Sequence, residues 1–138
     1  MQPDRALEAI TRQWLGHARD DLALARSALK EGSAPFLRDA LFHSQQAAEK
    51  ALKAFLTWHD IPFRKVHDLE IVGAQCCEVD PSLASIVVQA RELTRYAWTL
   101  RYPGEPYEPE PPEVSGAIDI AAAALEAVLS RLPVGFRD

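Results

Sequence analysis

The chain has 138 residues, a length that suits one domain rather than two, and apolar side chains make up 48% of it. Its formal net charge is −5, and the acidity is local: residues 1–103 hold 13 basic and 13 acidic side chains, whereas residues 104–138 hold 2 and 7. This distribution argues against a large basic surface that would bind duplex nucleic acid, although it allows a small basic patch.

The cysteines and the N-terminus indicate the cellular compartment. Cys76 and Cys77 are adjacent, so a disulfide between them would be strained, and no second cysteine pair offers a zinc site. The first ten residues, MQPDRALEAI, are too polar for a secretory signal, and no apolar run approaches the roughly 20 residues of a membrane span. Free thiols fit a reducing compartment, so we expect a cytoplasmic protein. We also expect no membrane contact, no metal and no cofactor.

The first predicted helix runs from about Pro3 to Glu31. Pro3 suits a first helical turn, and Gly32 suits a helix end. Apolar residues recur along it at spacings of three and four, which is typical of one buried helix face. These positions are Leu7, Ile10, Trp14, Ala18, Leu22, Ala25 and Leu29.

The second predicted helix runs from Pro35 to about His59 and is rich in strong helix formers. Its apolar residues cover half of the helix circumference or more, which predicts a central helix with neighbours on two sides. They are Leu37, Ala40, Leu41, Ala47, Ala48, Ala51, Leu52, Phe55 and Trp58.

Three further helices are predicted after a loop over residues 60–66. The third is short, from about residue 67 to 78, and the fourth begins at Asp80-Pro81, with an apolar face that extends to Leu100. A proline-rich loop over 103–112 separates it from the fifth helix, from about Pro112 to Leu132. Short links between long amphipathic helices favour antiparallel neighbours. We therefore predict an all-α fold, a five-helix up-and-down antiparallel bundle that forms a single domain over 1–138.

A polar stripe, defined by His43, Gln46, Lys50 and Lys53, lies on the second helix opposite Leu41. At 100° per residue these four side chains span about 80° of the helix. Two ammonium groups and an imidazole in one column would attract a phosphate or an acidic partner. The alternative is that the stripe is a solvated helix face. If part of it is hidden against a second subunit, Lys50 and Lys53 should find acidic partners such as Glu49 or Asp39.

Two other positions are candidates for ligand binding. His67 precedes Asp68, which could instead serve only as the N-cap of the third helix. Arg101 precedes Tyr102 and a proline-fixed bend, which would hold its guanidinium in a defined place for phosphate contact. The alternative for Arg101 is a cation that interacts with the last carbonyls of the fourth helix.

Common catalytic and ligand-binding motifs are missing from the sequence. It contains no GxxxxGK[ST], no GxGxxG, no HExxH and no nucleophile elbow. The four histidines, His17, His43, His59 and His67, are scattered without metal-ligand spacing. The sequence therefore predicts neither a standard phosphate loop nor a metal site.

Four runs in chain order resemble the HEPN-domain family of small bacterial and archaeal helical proteins: DLALARSALK, ALFHSQQAAEKALKAFL, KVHDLE and LTRYAWTLRYP. The resemblance covers about Trp14 to Leu132, and the HSQQAAEKALKAFL and HDL blocks are its most specific part. It implies a five-helix bundle, a homodimer, nucleotide binding and a minimal nucleotidyltransferase as partner, often in a toxin–antitoxin pair. Many members are metal-independent ribonucleases, with an Arg followed four to six residues later by a His near the end of the fourth helix.

This sequence departs from that ribonuclease pattern, because no histidine follows Arg95 or Arg101 in the required window. We therefore expect a non-catalytic or weakly catalytic HEPN protein that binds a nucleotide or RNA and acts with a minimal nucleotidyltransferase. The expected ligand-binding residues are His43, Gln46, Lys50, Lys53, His67, Arg101 and Tyr102. One alternative is a metal-independent ribonuclease toxin with a rearranged site, in which Arg101 steadies the phosphate and His43 or His67 is the base. Another is a purely structural interaction module whose acidic 105–113 loop meets a basic partner.

Overall fold

The computed structural model describes residues 4–63, 65, 68–98, 103–104 and 107–137. Within these residues the chain forms five α-helices and no β-strand, which confirms the all-α prediction. The helices are α1 (Arg5–Glu31), α2 (Ala34–Trp58), α3 (Leu69–Val79), α4 (Ala84–Arg91) and α5 (Pro111–Leu129), with short 3-10 helices at Pro81–Leu83, Thr94–Ala97 and Val134–Arg137. None of the helices in this part of the chain is long and apolar enough to cross a membrane.

The ends of α1 follow from local chemistry. The Asp4 carboxylate accepts hydrogen bonds from the backbone N–H groups of Ala6 and Leu7, which satisfies two of the free donors at the start of the helix. Gly32 ends the helix at φ 85°, a left-handed conformation that favours glycine, and its N–H donates to the carbonyl of Ala28. The predicted stop at Gly32 is thus confirmed.

Helix α2 is the central helix of the fold, as its broad apolar face predicts. It packs against α1, α3 and α5, and every side chain from Ser44 to Glu49 and from Ala51 to Leu56 is buried. Burial of both apolar and polar side chains on one helix means that its polar groups must find partners inside the protein.

The fourth predicted helix is interrupted, which corrects the expectation of one continuous helix from Asp80 towards Leu100. The structure has a 3-10 turn, the eight-residue α4, a turn at 92–93 and a second 3-10 helix. The Thr94 hydroxyl accepts a hydrogen bond from the backbone N–H of Leu69, the first residue of α3. That tertiary bond stabilises the start of α3 and fixes Thr94 at the start of the second 3-10 helix. Leu100 lies outside the described residues.

The antiparallel arrangement expected from short links holds for α1 with α2, and for α4 with α3 and α5. Helices α2 and α5, however, end at the same end of the bundle, where the ring of Trp58 lies 5.1 Å from that of Phe136. Strict up-and-down alternation therefore does not extend to α2 and α5. At the same end, Arg12 and Arg19 of α1 donate to the carbonyls of Gly135 and Phe136.

Candidate functional site

The polar stripe lies mostly inside the protein. Gln46 is 7% exposed and Lys53 is 5% exposed, whereas the side chains of His43 and Lys50 are 19% and 23% exposed. The alternative of a solvated helix face is therefore wrong for Gln46 and Lys53. The stripe has an inner part, Gln46 and Lys53, and an edge at the surface, His43 and Lys50.

The surface edge of the stripe is organised by Asp21, a buried carboxylate on α1. Its Oδ1 lies 2.7 Å from Nδ1 of His43, and its Oδ2 accepts a hydrogen bond of 2.5 Å from the ammonium of Lys50. Asp21 is not among the site residues that the sequence predicts. The signal that could have revealed it is its position on the apolar face of α1, between Ala18 and Leu22, where a charge requires a partner.

His43 lies between two carboxylates. Its second ring nitrogen, Nε2, is 3.4 Å from Oδ2 of Asp39, one turn earlier on α2, and Asp39 is largely exposed. A protonated ring can donate to both carboxylates, and a neutral ring can donate to one of them. In this arrangement Nδ1 is held by the buried carboxylate of Asp21, and Nε2 faces the exposed carboxylate of Asp39 rather than open solvent.

The inner part of the stripe belongs to a buried chain of hydrogen bonds along α2. Gln46 donates to Gln45 at 2.6 Å, Gln45 donates to Glu49 at 3.0 Å, and Lys53 donates to the other oxygen of Glu49 at 2.9 Å. The four side chains are each at least nine-tenths buried. Removing one partner of a buried, hydrogen-bonded ion pair leaves the other charge buried without a counter-charge, which destabilises the protein strongly. This chain of hydrogen bonds therefore supports the fold around it.

The ammonium of Lys53 also lies over two aromatic rings. Its Nζ is 5.6 Å from the ring centroid of Trp14 on α1 and 5.5 Å from that of Phe63 in the connection after α2. These are cation–π distances, and the contacts attach both elements to the centre of α2.

Both lysines of the stripe find acidic partners within one chain. Lys53 pairs with Glu49, and Lys50 pairs with Asp21 rather than with Glu49 or Asp39, so burial against a second subunit is not needed to explain these pairs and stays a prediction. Each of these two lysines is balanced by a carboxylate, so the stripe is less electropositive than its sequence indicates.

The other predicted site residues have different outcomes. His67, Arg101 and Tyr102 lie outside the described residues. The Asp68 carboxylate accepts a hydrogen bond of 2.9 Å from the N–H of Glu70, which confirms its role as the N-cap of α3. In the described part of the chain, no three His, Cys, Asp or Glu side chains form a group that could hold a metal ion.

Comparison with known proteins identifies one family. The sequence matches the HEPN domain family over residues 11–132. Among solved structures, the chain is similar to the crystal structure of an archaeal HEPN homologue, with a TM-score of 0.67 and 29% sequence identity over 88% of this chain and 96% of that chain. A comparison with curated proteins found no match.

Proposed function

The chain belongs to the HEPN-domain family, and from that membership we propose that it is a cytoplasmic, non-catalytic HEPN protein that binds a nucleotide or RNA-related ligand. It acts as a homodimer with a minimal nucleotidyltransferase, in a two-component system of the toxin–antitoxin kind. The exposed edge of the stripe, His43 and Lys50, contacts the ligand together with His67, Arg101 and Tyr102, while Gln46 and Lys53 support it from beneath.

The observation that carries the non-catalytic assignment is the position of His43 between Asp21 and Asp39. The sequence has no histidine at the family's usual place after Arg95 or Arg101. His43 is the imidazole of the stripe that could replace it. A general acid or base must reach the proton that it transfers, and both nitrogens of this ring face carboxylates instead.

Co-elution tests the partner assignment. Purified protein is mixed at micromolar concentration with the minimal nucleotidyltransferase encoded beside it, and the mixture is separated by size-exclusion chromatography. We expect one complex peak, weakened by Lys50→Gln and unchanged by Lys30→Gln, which removes the same charge from an exposed position at the end of α1. Separate peaks for the wild-type proteins, or a neighbouring gene of another kind, would overturn the assignment.

A second candidate function is metal-independent RNA cleavage, and one contact favours it. Asp21 holds Nδ1 of His43 and leaves Nε2 facing Asp39, an exposed side chain that can rotate away. A buried carboxylate that orients an imidazole in this way is a common support for a general base. In this function Arg101 binds the phosphate. If wild-type protein and Arg101→Ala leave RNA equally intact, this candidate fails.

A further inference from the structure

A cleft of about 250 Å³ opens between the 3-10 helix Thr94–Ala97 and the first turns of α5. It is separate from the polar stripe. Its apolar wall includes Leu93, Ala117 and Ile120. Its charged groups are Glu92, Arg95 and Glu113, so carboxylates outnumber cations along the lining.

Glu113 is held in a fixed orientation by two tyrosines. The hydroxyl of Tyr96 donates to Oε2 of Glu113 at 2.6 Å, and the hydroxyl of Tyr107 donates to the same oxygen. Burial is the main cause that raises the pKa of the Tyr96 hydroxyl, and the hydrogen bond to Glu113 raises it further. The same two causes raise the pKa of Tyr107 to about 12. Both hydroxyls therefore stay protonated at neutral pH. Among the described residues, Oε1 of Glu113 accepts no hydrogen bond.

The charge around the cleft favours a cation. Glu108 and Glu110 are exposed on the segment that leads into α5 and add negative charge close to Glu113 in sequence. The guanidinium of Arg95 lies 6.0 Å from the ring centroid of Tyr96, at the outer limit of a cation–π contact. Arg95 pairs with Glu92, but both side chains are largely exposed, and such pairs are weak.

We propose that this cleft is a docking site for an arginine or lysine side chain presented by a partner protein. The aliphatic stem of the incoming residue packs on Leu93, Ala117 and Ile120, and its charged head reaches the open oxygen of Glu113. The site is independent of the function proposed for the stripe, since it shares no residue with it.

Two short peptides serve as probes. Acetyl-Gly-Arg-Gly-amide carries the proposed side chain, and the same peptide with citrulline has nearly the same shape without the charge. Binding is followed by NMR through the backbone amides of Glu113, Gly116 and Ala117. We expect saturable shifts at these amides with the arginine peptide, and binding about tenfold weaker with the citrulline peptide.

Two variants test the site against a matched control. Glu113→Gln removes the charge but keeps an oxygen for the tyrosines, and it should weaken binding about tenfold. Asp119→Asn, an exposed position on the same helix outside the cleft, should leave binding unchanged. Gly116→Leu should abolish binding without unfolding the protein, because a Cβ at Gly116 meets no atom within 4 Å.

Several results would overturn the proposal. The first is equal affinity for the arginine and citrulline peptides. The second is an equal loss of affinity in Glu113→Gln and Asp119→Asn. The third is a set of NMR shifts at amides outside the cleft. Binding that appears only in Arg95→Ala would show instead that the chain's own arginine fills the cleft.

Discussion

At the scale of single residues, the structure depends most on Asp21, which serves two side chains of the stripe. The sequence predicts that His43 and Lys50 share a helix face, because a helix repeats every 3.6 residues. It does not predict their common partner, because Asp21 lies on another helix and 22 residues away from His43. Periodicity describes one helix and carries no information about which charge of a neighbouring helix faces it.

Replacing Asp21 by Asn tests this contact. The variant keeps the shape and one acceptor oxygen but removes the charge that balances Lys50, so we expect a loss of about 1–3 kcal/mol in the free energy of unfolding. The range is below that of a fully buried pair, because Lys50 and His43 are partly solvated. Urea denaturation followed by circular dichroism measures it.

The control for that variant is Asp20→Asn, which removes the same charge from the adjacent, exposed position of α1. Its effect should stay within about 0.5 kcal/mol. Equal losses from the two variants would show that net charge, and not the contact of Asp21 with His43 and Lys50, explains the result.

At the scale of helices, the sequence predicts best where the apolar repeat is long. Helices α1 and α2 begin and end close to the predicted residues; Asp4 and Gly32 cap the two ends of α1, and a proline stands in the first turn of α2. The fourth helix is predicted less well. Its interruption involves the bond from Leu69 to Thr94, a contact between elements that local propensity does not contain.

Gly73 controls how closely α3 approaches α4. A Cβ at this position would lie 2.5 Å from Cγ1 of Val87, a buried residue with a stiff, branched side chain. We expect Gly73→Ala to lower the free energy of unfolding by about 1–3 kcal/mol, although alanine is the better helix former. Thermal and urea unfolding measure the change.

Two controls accompany that prediction. Gly16→Ala, in the middle of α1 with no atom within 4 Å of the added Cβ, should stabilise the protein by about 0.5–1 kcal/mol. In Gly73→Ala with Val87→Ala, the second change should recover part of the loss from the first. A stable Gly73→Ala single variant would contradict the packing described between α3 and α4.

At the scale of the whole molecule, the all-α fold and the HEPN resemblance were both predictable from sequence, the fold from helix periodicity and the family from its motif blocks. The burial of the stripe was not. An amphipathic pattern predicts that polar residues face solvent. Helix α2 is instead covered on nearly all sides, and four of its polar side chains are buried: Gln45, Gln46, Glu49 and Lys53. The sequence predicts a basic partner for the acidic 105–113 loop as an alternative, but it does not predict the cleft at Glu113, because the cleft combines two segments, 92–96 and 112–120, that are separate in sequence.

The central claim is that the stripe supports the fold and a binding surface rather than RNA cleavage, and an RNA cleavage assay tests it most directly. Wild-type protein and His43→Asn are incubated with labelled RNA in the presence of a metal chelator. We predict that RNA stays as intact with either protein as in buffer alone. Cleavage by the wild-type protein that falls about a hundredfold or more in His43→Asn would contradict the claim, because a general acid or base contributes that much to catalysis.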